Sequence, residues 1–90
     1  MKIKYHQLES DEEIKIIVGR NEKLRVICYY PVRTLGAYSV KNGTKDPDSY
    51  YQLNQNSWSP AFNGNHGYEI ILHNSSSSAP VSFSTVIDNS

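Results

Sequence analysis

Ninety residues carry nine Lys and Arg against nine Asp and Glu, so the formal charge is zero and neither a nucleic-acid nor a membrane partner is expected on charge. Apolar residues make up 38% of the chain, and seven Tyr, two Phe and one Trp supply much of the area open to one modest core, so residues 1–90 read as a single domain. The lone Cys28 excludes an intrachain disulfide. No segment reaches the roughly 20 apolar residues of a membrane-spanning helix, and "MKIKYHQLES" lacks a signal-peptide core. Cytoplasmic is therefore the default expectation, with a secreted protein that has lost its leader as the alternative.

The dominant period along the chain is two. In "KIKYHQL", Ile3 and Tyr5 alternate with Lys2, Lys4 and His6, which predicts a strand over 2–8. "SDEEIKIIVG" fits two structures. Ser10 and Glu13 have capping-box spacing, and Ile14, Ile17 and Val18 fit a helix face. Ile14, Ile16 and Val18 fit a strand face as well, and four β-branched residues in five positions favour a strand over 13–18. "GRNE" at 19–22 reads as a turn.

"KLRVICYY" predicts a strand over 23–30, with Leu24, Val26, Cys28 and Tyr30 on one face and Pro31 ending it. A strand over 34–41 runs to the turn dipeptide Asn42-Gly43. "KDPDS" at 45–49 is a loop, 50–53 a short strand, and "NQNSWSPAFNGNHG" at 54–67 a long loop. Strands over 68–73 and 81–87 close the chain. Between them "NSSSSAP", Asn74 to Pro80, reads as an interstrand loop, with contact to a ligand as its other reading. Seven short strands predict an all-β fold: a small two-sheet antiparallel β-sandwich, Ig-like or jelly-roll-like, with a small barrel as the competing closure.

The charge is unevenly spread. All nine basic residues lie between Lys2 and Lys45, so residues 1–45 sum to +4 (nine basic, five acidic) and residues 46–90 to −4. Cys28 is the one thiol that a catalytic pair with His6, His66 or His73 could use. It shares the phase of Leu24 and Val26, which predicts a buried, inert side chain. The histidines form no metal-binding spacing, so no metal or other cofactor is expected. Asp46 and Asp48 open like a calcium loop, but the EF-hand pattern fails at its sixth and twelfth positions, which leaves an Asp-Pro-Asp turn with local caps. Asn42 and Asn74 sit in glycosylation-type tripeptides. Lys23, Arg25, Arg33, Tyr29 and Tyr30 could form a basic-aromatic strand surface, against which the zero net charge weighs.

The strongest positive signal is "YYQLNQNSWSPAFNGNHGY", where aromatic rings lie among amides. Rings offer flat apolar faces and amides both donate and accept, which suits glycan or protein recognition. The expected ligand-binding residues are Tyr50, Tyr51, Asn54, Asn56, Trp58, Asn63, Asn65 and His66. The competing reading makes Trp58 and Phe62 plugs of the sandwich end.

"GYEIILHNSSSSAPVSFSTVI", together with "LRVICYY" and "DPDSYYQL", resembles small bacterial β-sandwich modules of the pre-peptidase C-terminal and GOLD-like types. In those a Gly-Tyr opens a strand, an Asn/Ser-rich turn follows, and an alternating strand ends the fold. Ser49 stands where the pattern usually has Leu, and "PVRTLGAYSV" has no counterpart. The resemblance implies a non-catalytic accessory or interaction module, with Asp46 and Asp48 as structural or calcium-linked groups. The expected function is therefore non-enzymatic recognition of a protein or glycan. Self-association or inhibition through exposed edge strands is the alternative, with homo-oligomers left open, and a small Cys/His hydrolase ranks last.

Overall fold

The computed structural model describes residues 2–29, 34–53, 57–63 and 69–89. Nine strands occur among them: β1 Lys2–Leu8, β2 Glu13–Ile17, β3 Glu22–Cys28, β4 Leu35–Lys41, β5 Thr44–Lys45, β6 Tyr51–Gln52, β7 Phe62–Asn63, β8 Glu69–Asn74 and β9 Val81–Asn89. The expected strands recur within a residue or two at each end. β5 and β7 are additions, too short at two residues to leave a periodic signal.

The strands form two antiparallel sheets. One has the order β1-β9-β3-β7; the other has the order β2-β8-β4-β5, with β6 also on β4. The chain is a small two-sheet sandwich. One buried cluster joins Leu24, Val26 and Cys28 of β3 and Val81 and Phe83 of β9 to Ile70 and Leu72 of β8 and Leu35 and Ala37 of β4. Alternation explains this, since residues two apart along a strand share a face. No helix among the described residues is long and apolar enough to cross a membrane.

The ambiguous segment is a strand. Its register sets Ile14 opposite Leu72 and Ile16 opposite Ile70, so both isoleucines pack on the core. Glu13 joins the ladder rather than closing a capping box. Instead, Glu12 N–H donates to the Glu9 carbonyl (3.2 Å), and Asp11 takes a positive φ of 61° at the corner where the chain changes sheets. Val18 is fully buried just beyond β2, and Glu22 N–H closes the next turn on the Gly19 carbonyl at 3.0 Å. Asn42 (φ 55°) and Gly43 (φ 82°) make the β4–β5 hairpin turn that this dipeptide favours.

The serine-rich segment is an interstrand loop organised by Asn74. That side chain is fully buried, and its Nδ2 donates to the carbonyls of Leu8 (3.3 Å), Glu9 (3.1 Å) and Ala79 (2.9 Å). Its Oδ1 accepts from Ser76 N–H at 3.1 Å. Ser76 Oγ in turn accepts from Ser78 N–H and Ala79 N–H, so hydroxyls close the turn on the backbone. In the folded chain Asn74 is thus sealed from modification, whereas Asn42 is exposed.

Candidate ligand-binding cleft

At the β6–β7 side of the sandwich a cleft of about 450 Å³ opens between the sheets. The Asp-Pro-Asp segment builds its rim as a single 3-10 turn, Pro47–Ser49, with Pro47 at its start. Asp46 Oδ1 caps the turn by accepting from Asp48 N–H at 3.0 Å. Ser49 Oγ donates to the Asp46 carbonyl (2.6 Å) and accepts from Ser39 N–H (2.8 Å), clamping the turn to β4. The local-cap reading of Asp46 holds in this geometry. Among the described residues no cluster of three or more His, Cys, Asp or Glu could hold a metal ion.

This turn delivers Tyr50 onto the outer face of β4. The Tyr50 ring lies over Gly36 and meets Tyr38 at 5.3 Å between centroids, tilted by 48°. Lys45 Nζ stands 5.4 Å from the Tyr38 centroid and pairs with Glu13 at 2.9 Å. Inside the cleft Tyr51 meets Phe62 edge-on at 5.9 Å and 76°, which bridges the two sheets. Ala37 and Ile70 supply apolar floor, Pro60 and Ala61 form the far wall, and Asp48 places a carboxylate at the mouth. Tyr50 is 48% exposed, so the ring has a face left for a ligand.

The expected site residues divide. Tyr50 and Tyr51 come together in the cleft. Trp58 is 46% exposed, which is inconsistent with a core plug, and it does not line the cleft. It forms a β-bridge with Ile27 on the outer face of the first sheet, with the Arg25 guanidinium 5.4 Å from its ring centroid. Asn63 pairs opposite Lys23 through the backbone. Asn54, Asn56, Asn65 and His66 lie outside the described residues, as do Tyr30, Arg33 and Tyr68.

Gly36 and Tyr38 were missed in the sequence. The available signal was a lone glycine within a strand pattern, which marks a close approach to the backbone.

The thiol is buried in phase with Leu24 and Val26. Cys28 and His6 both stand opposite Phe83 in register, one on each side of β9. Two strand spacings, roughly 9.5 Å, separate their backbones, and Phe83 stands between them in the register. His6 stacks on Phe83 at 5.1 Å and hydrogen-bonds Thr85 Oγ1 at 3.2 Å. His73 is committed to Asp11 at 2.9 Å on the other sheet.

Compared with protein-family models, curated proteins and solved structures, the chain matches none.

Proposed function

We propose that the protein is a non-catalytic recognition module that holds a short glycan in the Tyr50–Tyr51 cleft. The observation that carries this reading is an open concave site with an exposed tyrosine face on one side, a Tyr51–Phe62 wall on the other and a carboxylate at its mouth. Sugar rings present C–H faces that pack on aromatics and hydroxyl pairs that donate to a carboxylate. A volume of about 450 Å³ falls within the usual range for small-ligand sites. Binding rather than hydrolysis fits the lining, because glycoside cleavage ordinarily needs two carboxylates and Asp48 is the single acid among the described lining residues. The accessory role implied by the resemblance to small bacterial sandwich modules agrees with this reading.

The test is an NMR screen of labelled protein against a panel of oligosaccharides. Shifts centred on Tyr38, Tyr50 and Phe62, lost in Tyr50→Ala while the remaining spectrum persists, are expected. Saccharide-independent spectra across the panel would remove the proposal.

A protein partner is the second reading, and one observation favours it. Ile3, Tyr5, Tyr29 and Trp58, four of the six exposed large hydrophobics among the described residues, share the outer face of the first sheet. Tyr5 stacks with Tyr29 at 6.2 Å, and the Tyr29 hydroxyl is anchored on Ser84 Oγ at 2.7 Å, which gives a rigid aromatic patch of the type favoured at interfaces. Trp58→Ala would weaken such a partner's binding and leave the glycan site intact.

A further inference from the structure

The opposite side of the sandwich is open as well. There the two edge strands β1 and β2 flank a second groove, again about 450 Å³. Its apolar lining is Ile14, Ile16 and Ile17 from one sheet and Ile87 from the other. These branched side chains offer no hydrogen-bond donors or acceptors.

The polar lining is basic or neutral. Lys2 and Lys4 are in phase with His6 and Leu8, so they point between the sheets rather than away from them. Neither makes an ion pair among the described residues. Lys15, the third ammonium at the groove, shares its charge with Glu69 at 3.5 Å. Among the described residues, no Asp or Glu lines the groove. Two uncompensated cations thus stand over a hydrocarbon floor, their methylene stems extending the apolar surface.

We propose that this groove binds a single-chain anionic amphiphile: a hydrocarbon tail laid over Ile14, Ile16 and Ile87, and a carboxylate, sulfate or phosphate head held by Lys2 and Lys4. Charge complementarity selects the head, and the floor selects the tail. A second copy of the chain fits poorly. A two-fold pairing at this edge would bring two copies of the unpaired Lys2 and Lys4 ammonium groups together with no carboxylate among the described lining residues. A partner strand also fits less well, because inward-pointing lysines on an edge strand obstruct strand addition. Burial and then the neighbouring Lys4 charge lower the pKa of His6, so the groove disfavours further positive charge. An anion relieves that repulsion.

Dodecanoate, used below its micelle concentration, is the probe. Titrated into the full chain and followed by isoleucine methyl NMR, it should shift Ile14, Ile16 and Ile87 saturably and leave Ile27, on the outer face, unmoved. Dodecyltrimethylammonium should not reproduce this pattern. The double variant Lys2→Gln/Lys4→Gln keeps most of each stem and should weaken dodecanoate about tenfold, a difference of about 1.4 kcal/mol. Lys4→Glu should lose dodecanoate and gain the cationic probe. Amide spectra establish that each variant is folded. Equal response to both probes, or unchanged affinity in the folded double variant, would overturn the proposal. So would binding to phosphatidylglycerol vesicles without binding to monomeric dodecanoate, or displacement of dodecanoate by an acidic peptide that binds more tightly than any single-chain anion tested.

Discussion

The ring of Tyr50 rests on the bare backbone of Gly36. A Cβ at residue 36 would collide with Cε1 of that ring and stand 3.1 Å from its Cδ1. Gly36 is therefore what lets an aromatic ring approach the β4 backbone so closely beside Tyr38. Because the colliding group is an exposed side chain, Gly36→Ala should displace the ring and leave the fold intact. Alanine also removes the strand-interior cost of glycine, about 0.5–1 kcal/mol. Thermal unfolding should show unchanged or slightly raised stability, while glycan affinity falls about tenfold, or 1.4 kcal/mol. Unaltered affinity would remove Tyr50 from the site.

Asn74 carries the serine loop. Asn74→Ala would remove the donor that the carbonyls of Leu8, Glu9 and Ala79 share, leaving Glu9 its bond from Glu12 N–H alone, and should cost about 2–3 kcal/mol in urea unfolding. Ser77→Ala, on the exposed tip of the same loop, should stay within about 0.5 kcal/mol.

His6 gives stability a pH dependence of known sign. Its pKa is lowered from the ordinary 6.5, first by burial and then by Lys4. The unfolded chain therefore binds the proton more readily than the folded one. Its contribution is fully present above 6.5 and is lost as the pH falls from there through the folded value, below which the loss is complete. Denaturant titrations at stepped pH, comparing wild type with His6→Gln, should show this component vanish in the variant.

Cys28 should resist a thiol reagent in the native state and react when the chain opens. Its Sγ lies in the core with Val26 and Phe83. Cys28→Ser, which buries a hydroxyl there, should destabilise by about 1–3 kcal/mol. Rapid native-state labelling would contradict the burial.

Trp58, half exposed beside Arg25, should emit at the red-shifted wavelengths of a solvated indole. Trp58→Ala should cost at most about 1 kcal/mol, in keeping with an exposed cation–π contact. A blue-shifted emission in a monomer would place the ring in the core.

The alternating residues by themselves determined the strands and the burial of Leu24, Val26, Cys28 and Phe83, because a pleated strand sorts its side chains with period two whatever it pairs with. Asn42-Gly43 and Asp46-Pro47-Asp48 likewise specified their turns locally. The helix-or-strand ambiguity at residues 10–18 was resolved by pairing, since Ile14 and Ile16 needed Leu72 and Ile70 across the ladder to make the strand the better burial. The site was only half legible. Tyr50, Tyr51 and Trp58 are near neighbours in sequence, but which rings share a pocket depends on which edge each segment joins. Residues 51–52 pair with β4 of one sheet, whereas Trp58 pairs with Ile27 of the other. Strand order is a long-range property, set by which apolar faces close the sandwich, so it decided that Tyr50 meets Gly36 and Tyr38 while Trp58 meets Arg25. It likewise left Lys2 and Lys4 facing Ile14 and Ile16 across an open edge.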